Sequence, residues 1–234
     1  MSGRRELFYS VIFLFCIGIL YYSLFYLKGK EYYPVSLAIM IAGVILFLQR
    51  FEDRRPSVSE LTIVAVLCAV AVTARVSFAF LPQVTPMAAV VIIAGISLGA
   101  ETGFVVGALS AFVSNFYFAQ GSWTPFQMFA LGMVGFFAGV LFRLLPVSRM
   151  FLTVYSLLSV LVLYGGIVDL NTLFFYAGEN TRQAILAVYG AALPFNLIFA
   201  VSTAGFVLLL YKPVLKKLRR IQVKYNLIDK PEQQ

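Results

Sequence analysis

The sequence predicts an all-α, polytopic bundle of membrane-spanning helices, and three observations carry that prediction. Of the 234 residues, 61% are apolar and only 12% are charged, against about 45–50% and about 25% in a typical soluble domain. A soluble fold of this size has too little interior to hide so much apolar surface. The apolar residues gather into runs, several close to the roughly 20 residues that cross a bilayer as one helix. The net charge of +8 comes from basic residues flanking those runs, the arrangement of membrane topology rather than of a nucleic-acid surface.

The elements follow in order. Residues 7–27 carry no charge and come after Arg4, Arg5 and Glu6. A secretory leader is the competing reading, but the run is long and its end at Tyr26, Leu27 and Lys28 lacks a small-residue cleavage site. Residues 32–49 form a second span after a polar break at 28–31. Residues 50–60 are the most polar stretch before the tail and mark the main internal boundary. Residues 61–80 read as a helix carrying Arg75, broken afterwards by Pro82 and Pro86. Runs at 87–100, 102–119 and 126–142 follow; the first is too short to span unless it tilts or borrows Pro86 and Glu101. Residues 150–168 and 184–211 complete the set, and Pro194 inside the last predicts a kink.

That makes two spans plus six. With the amino terminus in the cytoplasm, fourteen of the 18 Lys and Arg fall inside, Lys28, Lys30 and Arg182 fall outside, and Arg75 sits within a span. The positive-inside rule therefore predicts a multi-pass plasma-membrane protein with both termini cytoplasmic. Three regions are expected: two helices and a loop at 1–55, a six-helix core at 56–212, and a basic tail at 213–234.

Several chemistries are absent from the chain. It has no histidine, the commonest general base and metal ligand. Cys16 and Cys68 lie in apolar runs without a CxxC partner, so neither a disulfide framework nor a metal site is expected. No GxxxxGK[ST] phosphate loop occurs, so the chain does not energise transport by itself. Glu101 and Asp169 fall on opposite sides of the membrane, leaving no paired carboxylates for catalysis. No catalytic residue and no cofactor are expected. Against a channel or proton-coupled transporter, the spans hold almost no ionisable residue besides Arg75, and duplicated halves are lacking.

From Glu60 onward the chain resembles the substrate-specific, or S, component of energy-coupling factor (ECF) vitamin transporters. The resemblance lies in the run from Gly99 through Glu101, Gly103 and Gly107, then the loop from Ser114 and Asn115 through Trp123 to Gln127, then Gly132, Gly135 and Gly139. It implies a six-helix S-component-like core, here preceded by two extra helices of unassigned role. It further implies capture of a vitamin-class small molecule from outside, and partnership with an ECF transmembrane scaffold subunit and two ATPase subunits. Among subgroups the whole pattern most resembles those linked to cobalamin uptake, with riboflavin-type and queuosine-type cargoes open. A membrane enzyme and a stand-alone transporter or channel are the rival classes.

Individual residues sharpen the expectation. The glycines stand three or four apart, the spacing that lets helix backbones approach in lipid; they serve either internal packing or sliding against a partner. Ala65 and Ala69 match the Ala-x-x-x-Ala element by which S components dock on the scaffold, or else pack internally. Arg75, costly at membrane depth, either snorkels outward or faces the bundle to meet ligand or a carboxylate such as Asp169. Asn115, Tyr117, Gln120, Trp123, Thr124 and Gln127 cluster around one outer turn. They mix aromatic faces with amides, as suits a neutral heterocyclic ligand better than a plain interfacial belt. Tyr164, Asp169, Asn171, Tyr189 and Asn196 close a second wall or line the membrane interface. The basic residues from Lys212 to Lys224 read as an anchor on membrane lipid or an ATPase contact.

Overall fold

The computed structural model describes residues 32–176 and 182–225. The expected first span at 7–27 and the outer loop around Gly178 lie outside the described residues. The described residues form α1 (Tyr32–Asp53), α2 (Val58–Ser77), α3 (Met87–Leu98), α4 (Ala100–Phe118), α5 (Thr124–Leu144) and α6 (Arg149–Leu158). A π-helical segment (Ser159–Gly165), α7 (Gly166–Tyr176) and α8 (Arg182–Lys224) complete the order. The chain is thus a helical membrane bundle. By length and composition, α2, α5, the continuous stretch Arg149–Phe174 and α8 are each able to cross a membrane.

Local chemistry sets the boundaries. Ser57 Oγ accepts from the Glu60 amide at 3.1 Å, the Ser-x-x-Glu pattern that opens a helix. Ser148 caps α6 in the same way, accepting from the Phe151 amide at 3.3 Å. Pro125 stands in the first turn of α5, where its missing N–H removes no helical bond. Gly99, at φ 97°, ends α3 and starts α4, a left-handed turn that a side chain disfavours.

The centre of the bundle is a contact between backbones. A Cβ on Gly95 of α3 would lie 2.1 Å from the carbonyl oxygen of Gly135 on α5, and one on Gly135 would lie 2.2 Å from that of Gly103 on α4. Gly107 faces the Leu131 carbonyl and Gly139 faces the Ala100 amide, each with 2.4 Å of room for a Cβ. Three helices meet where none has a side chain. The glycines are therefore internal packing devices, and the partner-sliding alternative is not needed for them.

This contact explains α3. Its 12 residues span about 18 Å, short of a bilayer, and it does not lengthen into Glu101. Glu101 belongs to α4, and Met87 through Gly95 are all buried within protein, so the short helix is shielded by its neighbours.

Two further features organise the bundle. α1 is part of the packed interior: its Phe47 stacks on Phe104 of α4, with centroids 4.1 Å apart, and meets Phe136 of α5 edge-on at 5.4 Å. Met40, Val44 and Phe47 share one apolar cluster with α4, α5 and α7. The last span and the basic tail are one 43-residue helix containing Pro194 and Pro213, so no break separates residue 212 from 213. At about 65 Å, α8 is twice the thickness of the hydrocarbon core.

The backbone contact generates a prediction. Gly135→Val drives methyl groups into the Gly103 carbonyl and is expected to lower stability by about 3 kcal/mol or more. Gly205→Ala, at a site with nothing within 4 Å of its Cβ, is expected to be neutral or to stabilise by up to about 1 kcal/mol. Thermal melts of the two purified variants in one detergent check the contrast.

Candidate ligand-binding site

The close approach of α4 and α5 leaves only a short turn between them, and that turn builds the site. Asn115, one turn before the end of α4, is 1% exposed. Its Nδ2 donates to Gln127 Oε1 at 2.8 Å and to Thr124 Oγ1 at 3.2 Å. Thr124 Oγ1 in turn donates to Gln120 Oε1 at 2.9 Å and accepts from the Gly121 amide. Gln120 Nε2 returns to the Phe112 carbonyl at 2.9 Å. Three amides and a hydroxyl thus form one hydrogen-bonded relay.

Arg75 supplies the charge. Its Nη1 donates to Asn115 Oδ1 at 3.0 Å and to Ser114 Oγ, and its Cζ lies 4.4 Å from the centre of the Phe118 ring. The side chain points into the bundle rather than snorkelling. It does not pair with Asp169: among the described residues the ion pairs are Arg50–Asp53, Arg54–Glu60 and Arg54–Glu101. A guanidinium held by two oxygens and an aromatic face keeps one edge for a further acceptor.

The second wall forms around the π-helical segment. Asp169 Oδ2 accepts from Asn196 Nδ2 at 2.7 Å, and Tyr189 donates to the Gly166 carbonyl at 2.9 Å. Tyr164 packs edge-on against Phe199, with ring centroids 5.0 Å apart. Asn171 is buried, and its Oδ1 has no hydrogen-bond partner among the described residues.

Of the expected residues, Arg75, Asn115, Gln120, Thr124 and Gln127 therefore share one relay, while Asp169 and Asn196 bond each other beside the π-helical segment. Trp123 stands at the turn, its ring packed over Gly121. Tyr117 departs, being 65% exposed and edge-on to Phe118. It follows inward-facing Asn115 by two residues, about 200° around the helix. Sequence reasoning missed Ser114 and Phe118. Both carry a readable signal, since they lie next to Asn115 and one turn after it on the same helix face.

The opposite end of the bundle carries a different cluster. Arg54 bonds Glu60, reaches Thr102 Oγ1 at 3.2 Å and lies 3.5 Å from Glu101, tying the α1–α2 connection to α4. It borders a cavity of about 340 Å³ with Ser97, Gly99, Arg143 and Gln222. A second, of about 370 Å³, lies between α2 and α8, lined by Val58, Thr62, Val66, Leu67, Leu218 and Ile221. Neither touches the Arg75 relay. On the same flank Ala65 and Ala69 are exposed, whereas Val64, Leu67, Cys68 and Ala71 turn inward. The two alanines do not pack inside the bundle.

Comparison with known proteins adds one match. The sequence model of the ECF-type riboflavin transporter S component family matches residues 55–217. No curated protein and no solved structure matches the chain. The match covers α2 through most of α8, including the relay, the second wall and the exposed alanines, and leaves out α1 and the last turns of α8. The chain belongs to the ECF-type riboflavin transporter S component family, whose members are substrate-binding transport subunits and not enzymes.

Proposed function

We propose that the chain captures a riboflavin-type vitamin at the Arg75 end and passes it on through an ECF scaffold with two ATPase subunits. One observation carries the reading. The relay offers amides and a hydroxyl that both donate and accept, beside Trp123, Phe118 and a guanidinium. A flavin presents matching chemistry: a planar ring for stacking, an imide edge alternating acceptors with a donor, and a chain of hydroxyls. A ligand entering there exchanges one set of hydrogen bonds for another and leaves no amide unpaired. Cobalamin, the cargo toward which the whole sequence pattern leans, is the alternative. The family's name favours the flavin.

Titration of purified protein with riboflavin, followed by quenching of flavin fluorescence, tests the capture site. Trp123→Ala and Gln127→Ala are each expected to weaken binding by about tenfold, as the loss of one stack or one hydrogen bond implies. Asn115 is a poorer probe, because its side chain also ties α4 to α5. Unchanged affinity in both variants would move the site elsewhere. Tight binding of cobalamin with no response to riboflavin would restore the corrinoid.

The docking reading rests on Ala65 and Ala69, which sit four apart on the exposed face of α2 beside Val66 and Val70. A strip of small side chains lets a partner helix approach closely, and the adjoining groove between α2 and α8 extends the surface. Replacing both alanines with Trp is expected to leave riboflavin binding within about twofold, since surface changes away from a site have little effect, while complex assembly and ATP-driven uptake are lost. Intact assembly would overturn the assignment.

The orientation follows from charge. With Arg54, Arg143, Arg149 and the basic end of α8 at one end of the bundle, that end is proposed to be cytoplasmic. A reporter fused at Pro56 or after Lys224 is expected to read inside, and one at Gly178 outside. An external signal at Pro56 would invert the scheme.

A further inference from the structure

The end of α8 carries a dense run of cations. Residues 183–211 hold no charge, and then Lys212, Lys216, Lys217, Arg219, Arg220 and Lys224 follow within 13 residues, with no acidic residue among them. These cations are not scattered around a free tail. Leu218 and Gln222 are buried against the bundle, and Gln222 Nε2 donates to the Ser97 carbonyl at the end of α3 at 2.7 Å. That attachment fixes the rotation of the helix. At 100° per residue, Lys212, Lys216, Arg219, Arg220 and Val223 fall on the face turned away, and the four cations are exposed.

Between them runs a shallow trough of about 570 Å³, lined by Leu215, Lys216, Arg219, Arg220 and Val223. Its cations take part in none of the ion pairs among the described residues. Its chemistry is amphiphilic: three positive groups that donate hydrogen bonds, flanked by two half-buried aliphatic side chains. The trough begins four residues after the charge-free run ends at Tyr211. Arg219, Arg220 and Val223 lie beyond the family match.

We infer that this trough binds an anionic glycerophospholipid, with its phosphate between Arg219, Arg220 and Lys216 and an acyl chain along Leu215, toward the apolar run. The inference depends neither on the cargo nor on which side of the membrane this end faces. A cation on a flexible tail only samples the surface potential. Here three share one face of a helix whose rotation is fixed, beside an apolar wall, so a particular lipid is retained.

Native mass spectrometry of the full-length protein, released from phosphatidylcholine micelles with graded phosphatidylglycerol, tests it. One phosphatidylglycerol adduct is expected to persist at activation that strips phosphatidylcholine. K216Q/R219Q/R220Q is expected to weaken it about tenfold. R55Q/R149Q/K217Q removes the same charge from the same end and is expected to change it less than twofold. The single variant R219Q, about threefold weaker, keeps the test open if the triple variant folds poorly. Equal losses in the two triple variants would reduce the site to a diffuse field and overturn the inference. Displacement by equimolar glycerophosphoglycerol, the headgroup without chains, would assign the cations to free anions and overturn it too. Absence of any preference over phosphatidylcholine would have the same consequence.

Discussion

The fold depends on a contact in which three helices touch through their backbones. Lipid supplies no hydrophobic force to draw helices together, so close packing of small residues has to do so. Gly95, Gly103 and Gly135 let α3, α4 and α5 approach until a carbonyl of one helix fills the Cβ position of the next. The consequences are geometric. α3 is short enough to be enclosed, and Gly99 turns directly into α4. At the far end the α4–α5 turn is tight enough for Asn115 to reach Thr124 and Gln127. The site is a by-product of how closely two helices lie.

Arg75 is the most expensive residue in that arrangement. A guanidinium at bilayer depth costs roughly 2.5–3.5 kcal/mol on insertion scales. Hydrogen bonds to a charged group contribute about 1.5–3 kcal/mol each, and Arg75 makes two, with a ring beneath it. The relay therefore offsets the charge it surrounds. Removing Asn115 would strip a buried cation of an acceptor and separate α4 from α5 at once.

Much of this is legible in the sequence. The spans follow from runs of apolar residues, and Asn115, Gln120, Thr124 and Gln127 group together because 13 residues and one turn hold them all. Even Tyr117 is readable as an outlier, from the rotation of a helix per residue. The partners of Arg75 are not. Ser114 and Asn115 lie 39 and 40 residues away, and which face of α4 meets α2 depends on the glycine contact rather than on either helix alone. Asp169 is the natural expectation, being the nearest unmatched charge in the sequence, yet a neutral amide, Asn196, takes its carboxylate. The union of the basic tail with α8 is hidden by Pro213, which a long helix tolerates when its neighbours hold it in place.

The π-helical segment at Ser159–Gly165 has a consequence for how such a protein changes over time. A wide turn accommodates one extra residue inside a continuous helix. On one side of it, Tyr155 donates to the Val134 carbonyl and fixes α6 against α5; on the other, Asp169 accepts from Asn196 of α8. An insertion absorbed at that point re-phases one half of the helix and leaves the other in register. The half beyond the segment can therefore change its register while the half held by Tyr155 keeps its shape.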